Sequence, residues 1–135
     1  MPNGRVTPLE STEQQDFVGW VKHLHPGIMV FAIPNGGARD KRTAARLKLE
    51  GVLPGVPDLM IPEPRRHWHG LFIEMKRQGA GPGAESADQR QVRHDLMERG
   101  YCVRVCAGRY DAYAVFCAYL GIPNRFKSLH KDKRL

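Results

Sequence analysis

Apolar positions recur along the chain at two spacings, one typical of helices and one typical of strands. Phe17, Trp20, Val21 and Leu24 follow Ser11 at helical spacing, which predicts a helix that begins at Ser11 and buries one face. The same reasoning predicts three more helices, from about Asp40 to Glu50, from Ser86 to a stop at Gly100, and from about Tyr110 to Leu120.

Short continuous apolar runs predict four strands, at Ile28–Ile33, Asp58–Ile61, Leu71–Lys76 and Tyr101–Cys106. The first run is expected to be covered on both faces. The short polar connection between the second and third runs favours an antiparallel hairpin. The order α-β-α-β-β-α-β-α predicts an α/β fold, in which helices flank a mixed four-stranded sheet.

The chain of 135 residues is long enough for one domain with its own core. We expect a flexible leader over residues 1–10, a domain over 11–121, a basic tail over 122–135, and a flexible segment over 77–85. No apolar run approaches the length of a membrane span, and no signal-peptide pattern follows Met1. Three cysteines lie in apolar runs, as expected of reduced, buried thiols in a cytoplasmic protein.

The net charge of +7 indicates either a polyanionic partner such as nucleic acid or a charge that serves solubility. Asn35, in the segment Asn-Gly-Gly, belongs either to a phosphate-binding turn or to an ordinary turn. Basic residues around the second helix are candidate contacts to the DNA backbone, and each could equally be a solvated surface charge: Arg39, Lys41, Arg42, Arg46 and Lys48.

Acidic residues occupy two of the predicted strands, where a core strand normally has none. Asp58 opens the second strand, Glu74 interrupts the third, and Lys76 follows two residues later. Alternate residues of a strand share a face, so Glu74 and Lys76 project together and the hairpin brings Asp58 to them. Two adjacent carboxylates repel unless a cation relieves them, and their hard oxygens suit Mg²⁺ or Mn²⁺. The backbone carbonyl of Met75 is a further candidate ligand.

A surface hairpin with a Glu–Lys pair and an Asp in a turn is the alternative interpretation of these residues. Each short motif is common by itself. Their combination on adjacent apolar strands favours a metal site that cleaves a phosphodiester, with Lys76 orienting water or holding the phosphate.

Six segments in this order resemble the VRR-NUC family of the PD-(D/E)xK nuclease superfamily, particularly its small stand-alone phage and bacterial members. They are Ile-Pro-Asn-Gly-Gly, Ala-Ala-Arg-Leu-Lys, Gly-Val-Pro-Asp-Leu, Phe-Ile-Glu-Met-Lys, Ser-Ala-Asp-Gln and Gly-Tyr-Cys-Val. The Val-Arg-Arg signature that gives the family its name is replaced here by Tyr-Cys-Val-Arg-Val. The resemblance implies a restriction-endonuclease-like fold and Mg²⁺- or Mn²⁺-dependent hydrolysis of DNA.

By position, the resemblance assigns the metal carboxylates to Asp58 and Glu74 and the catalytic lysine to Lys76. It also assigns Gln89 and Glu13 to this site, and it implies that Glu13 is a further metal ligand. By their own chemistry, Gln89 could be only a capping-box residue and Glu13 only an acid in the first turn of a helix.

The resemblance also implies a homodimer that acts on branched DNA such as four-way junctions, in DNA repair or recombination. A non-catalytic module that binds structured DNA on the same fold is the alternative function.

Overall fold

A four-stranded mixed sheet forms the centre of the computed structural model, which describes residues 9–34 and 40–126. Its strands lie side by side in chain order, as β1 (Phe31–Ala32), β2 (Leu59–Ile61), β3 (Leu71–Lys76) and β4 (Cys102–Ala107). β1 with β2 and β2 with β3 pair antiparallel, whereas β3 and β4 pair parallel. The mixed sheet and its β2–β3 hairpin confirm the predicted fold class.

Four α-helices accompany the sheet: α1 (Glu10–Leu24), α2 (Lys41–Leu49), α3 (Ala87–Glu98) and α4 (Arg109–Leu120). The parallel pairing of β3 with β4 requires a crossover, which α3 supplies. The element order is the predicted one, apart from a short 3-10 turn at Pro82–Ala84. Asp40 caps α2 by accepting a hydrogen bond from the Thr43 N–H at 2.7 Å.

β3 is buried on both faces although it carries two charged side chains. Leu71, Ile73 and Met75 enter the main hydrophobic core together with residues of α1 and α4. Glu74 and Lys76 alternate with them and project to the opposite face, where they are 5% and 7% exposed. The fold therefore places a carboxylate and an ammonium group in a nearly dry position.

β1 differs from the prediction in its length and its burial. Only Phe31 and Ala32 pair with β2, and both are exposed, as is Met29 next to them. Val30 alone of this run is fully packed into the core. The expectation of coverage on both faces is wrong because β1 is the outermost strand of the sheet, a position that hydrophobicity alone does not reveal.

The segment 77–85 is more structured than predicted. It contains the 3-10 turn at Pro82–Ala84, and Glu85 anchors its end to α3. Both carboxylate oxygens of Glu85 accept hydrogen bonds from the guanidinium of Arg93, at 2.7 and 2.9 Å. This bidentate pair joins the connection after β3 to the helix that follows.

All three cysteines are buried and none forms a disulfide. None of the helices in the described ranges has the length and apolar character needed to cross a membrane.

Candidate active site

The hairpin register brings the two predicted acids together. Leu59 lies opposite Ile73, and continuing this antiparallel register by one residue puts Asp58 opposite Glu74 on the same face. The carboxylate of Asp58 accepts a hydrogen bond from the N–H of Met75, with Oδ2 and N 2.7 Å apart. Asp58, the residue before β2 begins, is therefore fixed to β3 by its side chain.

Gln89 links Glu74 and Lys76 from the first turn of α3. Its Nε2 donates to Oε1 of Glu74 at 2.9 Å, and its Oε1 accepts from Nζ of Lys76 at 2.9 Å. The same Oε1 accepts from the backbone N–H of Ser86 at 2.9 Å, which completes a capping box. One side chain thus completes the capping box and contacts both Glu74 and Lys76, and a role for Gln89 in catalysis stays a prediction.

Glu74 has a buried oxygen, Oε2, without a hydrogen-bond partner among the described residues, and a second carboxylate lies beside it. Burial, and after it the nearby charge of Asp58, raises the pKa of Glu74 from 4.5 to about 8, although Lys76 acts in the opposite direction. A divalent cation would give this oxygen a partner and neutralise both carboxylates. The oxygens present are of the kind that Mg²⁺ and Mn²⁺ bind.

Glu13 is fully buried, and its hydrogen bonds are to Arg109 and Gln78. Its Oε2 accepts from the backbone N–H of Arg109 at 2.8 Å, and its Oε1 accepts from Nε of Arg109 at 3.1 Å and from Gln78 at 2.8 Å. Burial works to raise the pKa of Glu13, but the hydrogen bonds from Arg109 and Gln78 outweigh it and lower that pKa. Glu13 therefore ties α1 to the start of α4.

Among the acids of α1, Glu10 is the one whose charge raises the pKa of Glu74, and its contribution is the smallest of those that shift that pKa. It lies almost one helical turn before Glu13 and is exposed. The resemblance assigned Glu13 of this helix to the metal site, a role that stays a prediction, and the same helix also contains Glu10 and Asp16. The signal that separates them is Arg109, more than 90 residues later, whose guanidinium also contacts Asp16.

The remaining predicted residues lie elsewhere or stay untested. Met75 buries its side chain in the core, and a role for its carbonyl in metal binding stays a prediction. Asn35 and Arg39 lie outside the described residues. The other predicted DNA contacts, Arg42, Arg46 and Lys48, are exposed on α2, a helix with no buried side chain.

A separate group of three potential metal ligands occurs within the described ranges, at His94, Asp95 and Glu98. It lies on the solvent side of α3, with His94 and Glu98 exposed. Exposed groups of this kind are common without an ion, so the case for a metal rests on Asp58 and Glu74.

Gly55 sets the distance between the loop that leads to Asp58 and the first turn of α3. It has a φ of +92°, and a Cβ atom there would lie 2.5 Å from backbone atoms of Asp88 and 2.8 Å from the N of Gln89. Only glycine combines this backbone conformation with so close an approach. The loop and the helix that carry Asp58 and Gln89 are therefore packed backbone against backbone.

We expect Gly55→Ala to destabilise the protein by roughly 3 kcal/mol or more, because backbone strain adds to a clash that a helix cannot relieve. Gly51→Ala is the matched control, since Gly51 has a φ of +102° but nothing within 4 Å of its Cβ position. Urea unfolding of both variants measures the difference. Equal losses of stability would contradict a close-packing role for Gly55.

Comparison with known proteins identifies the family of this chain. The family model for the VRR-NUC domain matches residues 8–110, which include α1, the whole sheet and every residue of the site described above. This chain belongs to the VRR-NUC family. Membership makes it a nuclease-family domain, with DNA as the substrate class of that family, and it confirms the resemblance stated from the sequence motifs.

A solved structure described as a VRR_NUC domain protein is similar to this VRR-NUC domain over most of both chains. The two share 27% sequence identity, and the similarity covers 87% of this chain and 92% of the other, with a TM-score of 0.72. A search of curated proteins finds no significant match to the sequence.

Proposed function

We propose that this VRR-NUC domain hydrolyses phosphodiester bonds of DNA with Mg²⁺ or Mn²⁺ bound between Asp58 and Glu74. The observation that carries the proposal is the buried Oε2 of Glu74, which lacks a hydrogen-bond partner among the described residues and lies beside a second carboxylate. A protein that only bound DNA would gain nothing from this arrangement, because two acids repel a phosphate.

Asp58 and Glu74 are the residues that would hold the ion, and Glu10 adds a third negative charge from α1. When bound, a divalent cation polarises a phosphoryl oxygen and lowers the pKa of a coordinated water. The hydrogen bond from Met75 fixes the orientation of Asp58, and the hydrogen bond from Gln89 fixes that of Glu74. Both carboxylates are thereby oriented before any ligand arrives.

Lys76 is held in position to orient the attacking water or to contact the phosphate. Its Nζ lies 2.9 Å from Oε1 of Gln89 and 3.8 Å from Oε1 of Glu74. An ammonium group has three donors, and Gln89 is its hydrogen-bond partner among the described residues. Donors therefore remain for water or for a phosphate oxygen, while Gln89 prevents the lysine from swinging away.

Glu10 and Glu13 of α1 should respond differently to substitution. We expect Glu13→Ala to destabilise the fold by roughly 3 kcal/mol, because it removes the fully buried carboxylate that Arg109 and Gln78 contact and leaves Arg109 with only the more exposed Asp16. Glu10→Ala should leave stability nearly unchanged but slow metal-dependent cleavage roughly 10- to 100-fold. Thermal unfolding and cleavage rates of both variants make the comparison. A stable, inactive Glu13→Ala beside a fully active Glu10→Ala would show that Glu13, and not Glu10, acts at the metal.

Basic residues on α2 are suited to hold the DNA backbone. Arg42, Arg46 and Lys48 are exposed, and the contact of Arg46 with Glu50 is a long one at 3.9 Å between exposed groups. Ion pairs between exposed side chains contribute little to stability, so a phosphate can replace Glu50 as the partner of Arg46. Contacts of this type give affinity that falls with salt and does not depend on base sequence.

Branched DNA, such as a four-way junction, is the substrate we propose, with a two-fold dimer as the acting species. Each subunit has one site, and symmetric cleavage of two strands requires two. Sedimentation that finds only a species of 15.3 kDa at assay concentration would contradict the dimer.

A substrate panel tests the proposal. Four-way junction, flap and linear duplex DNA are each incubated with the protein in Mg²⁺, in Mn²⁺ or in EDTA, and products are separated on denaturing gels. Cleavage of branched substrates in either metal but not in EDTA is the expected result. Tight binding with no product in either metal would instead favour the non-catalytic module.

A further inference from the structure

A second cleft lies beside α3, between that helix, the turn at Pro82–Ala84 and β4. Its volume is about 440 Å³. Arg90, Arg93 and Met97 line it from α3, where their spacing places them on one stripe of the helix. Neither Asp58 nor Glu74 borders this cleft, so its chemistry is separate from that of the proposed metal site.

The cleft and the proposed metal site open on the same face of the sheet. In the parallel ladder Val105 lies opposite Glu74, and Val103 lies opposite Phe72. Side chains of paired residues project to the same face, so the two valines of the cleft lie one strand away from Glu74. Ser86 and Gln89 of α3 belong to the site, whereas Glu85 and Arg90 border the cleft. A single DNA strand leaving the site over the start of α3 would therefore meet the cleft.

The lining of the cleft is positively charged, with three arginines against one glutamate. Glu85 uses both of its oxygens on Arg93, and its contact with Arg90 is longer, at 3.6 Å. Arg104 lies opposite Ile73 and therefore leaves β4 on the other face, but its guanidinium reaches the cleft around the free edge of this outermost strand, where Nη1 donates to the carbonyl oxygen of Val103 at 2.9 Å. Because each guanidinium has five N–H donors, Arg90 and Arg104 keep donors for an anionic ligand.

The floor of the cleft is an apolar surface, and a phosphate group alone would not cover it. Met97, Val103 and Val105 form it, and Val105 is 37% exposed although it lies in a strand. A nucleobase covers such a surface, and bases also stack on guanidinium planes. The volume is that of a site for a small molecule. A duplex cannot enter it, because its bases are paired in the interior of the helix.

We propose that this cleft binds one unpaired nucleotide of a DNA strand, with its base on the valine and methionine floor and its phosphate at Arg90 and Arg104. The assignment rests on the proposed action of the domain on DNA. Among the branched substrates, it favours a flap, which has an unpaired strand next to the branch point. The Glu85–Arg93 pair fixes the turn at Pro82–Ala84 against α3 and so fixes one wall of the cleft.

Fluorescence anisotropy in EDTA tests the assignment, with a labelled short oligothymidylate and a blunt duplex of the same length as probes. Arg90→Ala/Arg104→Ala should raise the dissociation constant for oligothymidylate about tenfold, and that for the duplex by less than about twofold. Val105→Glu, at an exposed position, should weaken binding of the single strand in the same selective way. Arg99→Ala/Arg125→Ala removes the same charge elsewhere on the surface and serves as the matched control.

The assignment would be overturned if the cleft variants lost equal affinity for both probes, or lost no more affinity than the control variant. It would also be overturned if the wild-type protein did not bind oligothymidylate. Binding in EDTA requires no cleavage, so the two proposals can fail separately. A protein that cuts branched DNA while its cleft variants bind like the control refutes the cleft alone. A protein that binds oligothymidylate through the cleft yet never cuts DNA refutes the nuclease proposal alone.

Discussion

Lys76→Met is expected to slow Mg²⁺-dependent DNA cleavage by roughly 10²- to 10⁴-fold while the protein stays folded. Methionine has nearly the shape of lysine and suits a position that is only 7% exposed. The loss is therefore chemical, because the ammonium group held by Gln89 disappears. Single-turnover cleavage of the preferred branched substrate gives the rate, and circular dichroism gives the folded fraction.

Lys22→Met is the matched control for this change, because Lys22 is exposed in the last turn of α1. It removes the same charge from the protein and should leave the cleavage rate within about twofold. If Lys76→Met cleaves as fast as this control, Lys76 has no part in the reaction.

Glu74→Gln is expected to make the metal-free protein more stable while abolishing cleavage. The pKa of Glu74 is raised from 4.5 to about 8, chiefly by burial and then by Asp58. The folded protein therefore binds more protons than the unfolded chain between these pH values, and its stability falls as the pH rises through this window. The variant avoids a penalty on the order of 4 kcal/mol at pH 8, and its amide still accepts from Gln89.

Unfolding in EDTA across the pH range measures this effect. The difference in stability between Glu74→Gln and wild type should be close to zero near pH 4.5 and should grow toward pH 8. Mg²⁺ should raise the unfolding temperature of the wild type at pH 8 and leave that of the variant unchanged. A stability difference that does not depend on pH would mean that Glu74 is ionised at no cost, and the argument for a cation beside it would fail.

The strands nearest the chemistry were the most predictable from sequence. β3 has the predicted bounds, Leu71–Lys76, because a continuous apolar run leads into alternating apolar and charged positions that put Glu74 and Lys76 on one face. The position of Asp58 opposite Glu74 follows from the antiparallel hairpin. β1 was less predictable, since an apolar run does not reveal whether other strands will cover it.

Tertiary contacts decided what the sequence left open at the site. By residue type alone, Glu10 and Glu13 are two glutamates of one amphipathic helix. The position of Arg109 at the start of α4 gives Glu13 a buried partner, so that Glu13 joins α1 to α4. The ordered turn at Pro82–Ala84 depends in the same way on Arg93 reaching back to Glu85. The cleft beside β4 is formed by residues from three elements, and no spacing along the chain signals it.

The capping box at the start of α3 limits which residue can occupy position 89. Capping boxes accept glutamate or glutamine at this position, and in most helices the two are interchangeable. Here the side chain donates from Nε2 to Oε1 of Glu74, which a carboxylate cannot do. Glutamate would also add a negative charge beside Asp58 and Glu74. The rules of helix capping allow glutamate at position 89, but Glu74 and Asp58 restrict this position to glutamine. Gln89→Glu would therefore keep the helix intact and still disable the site.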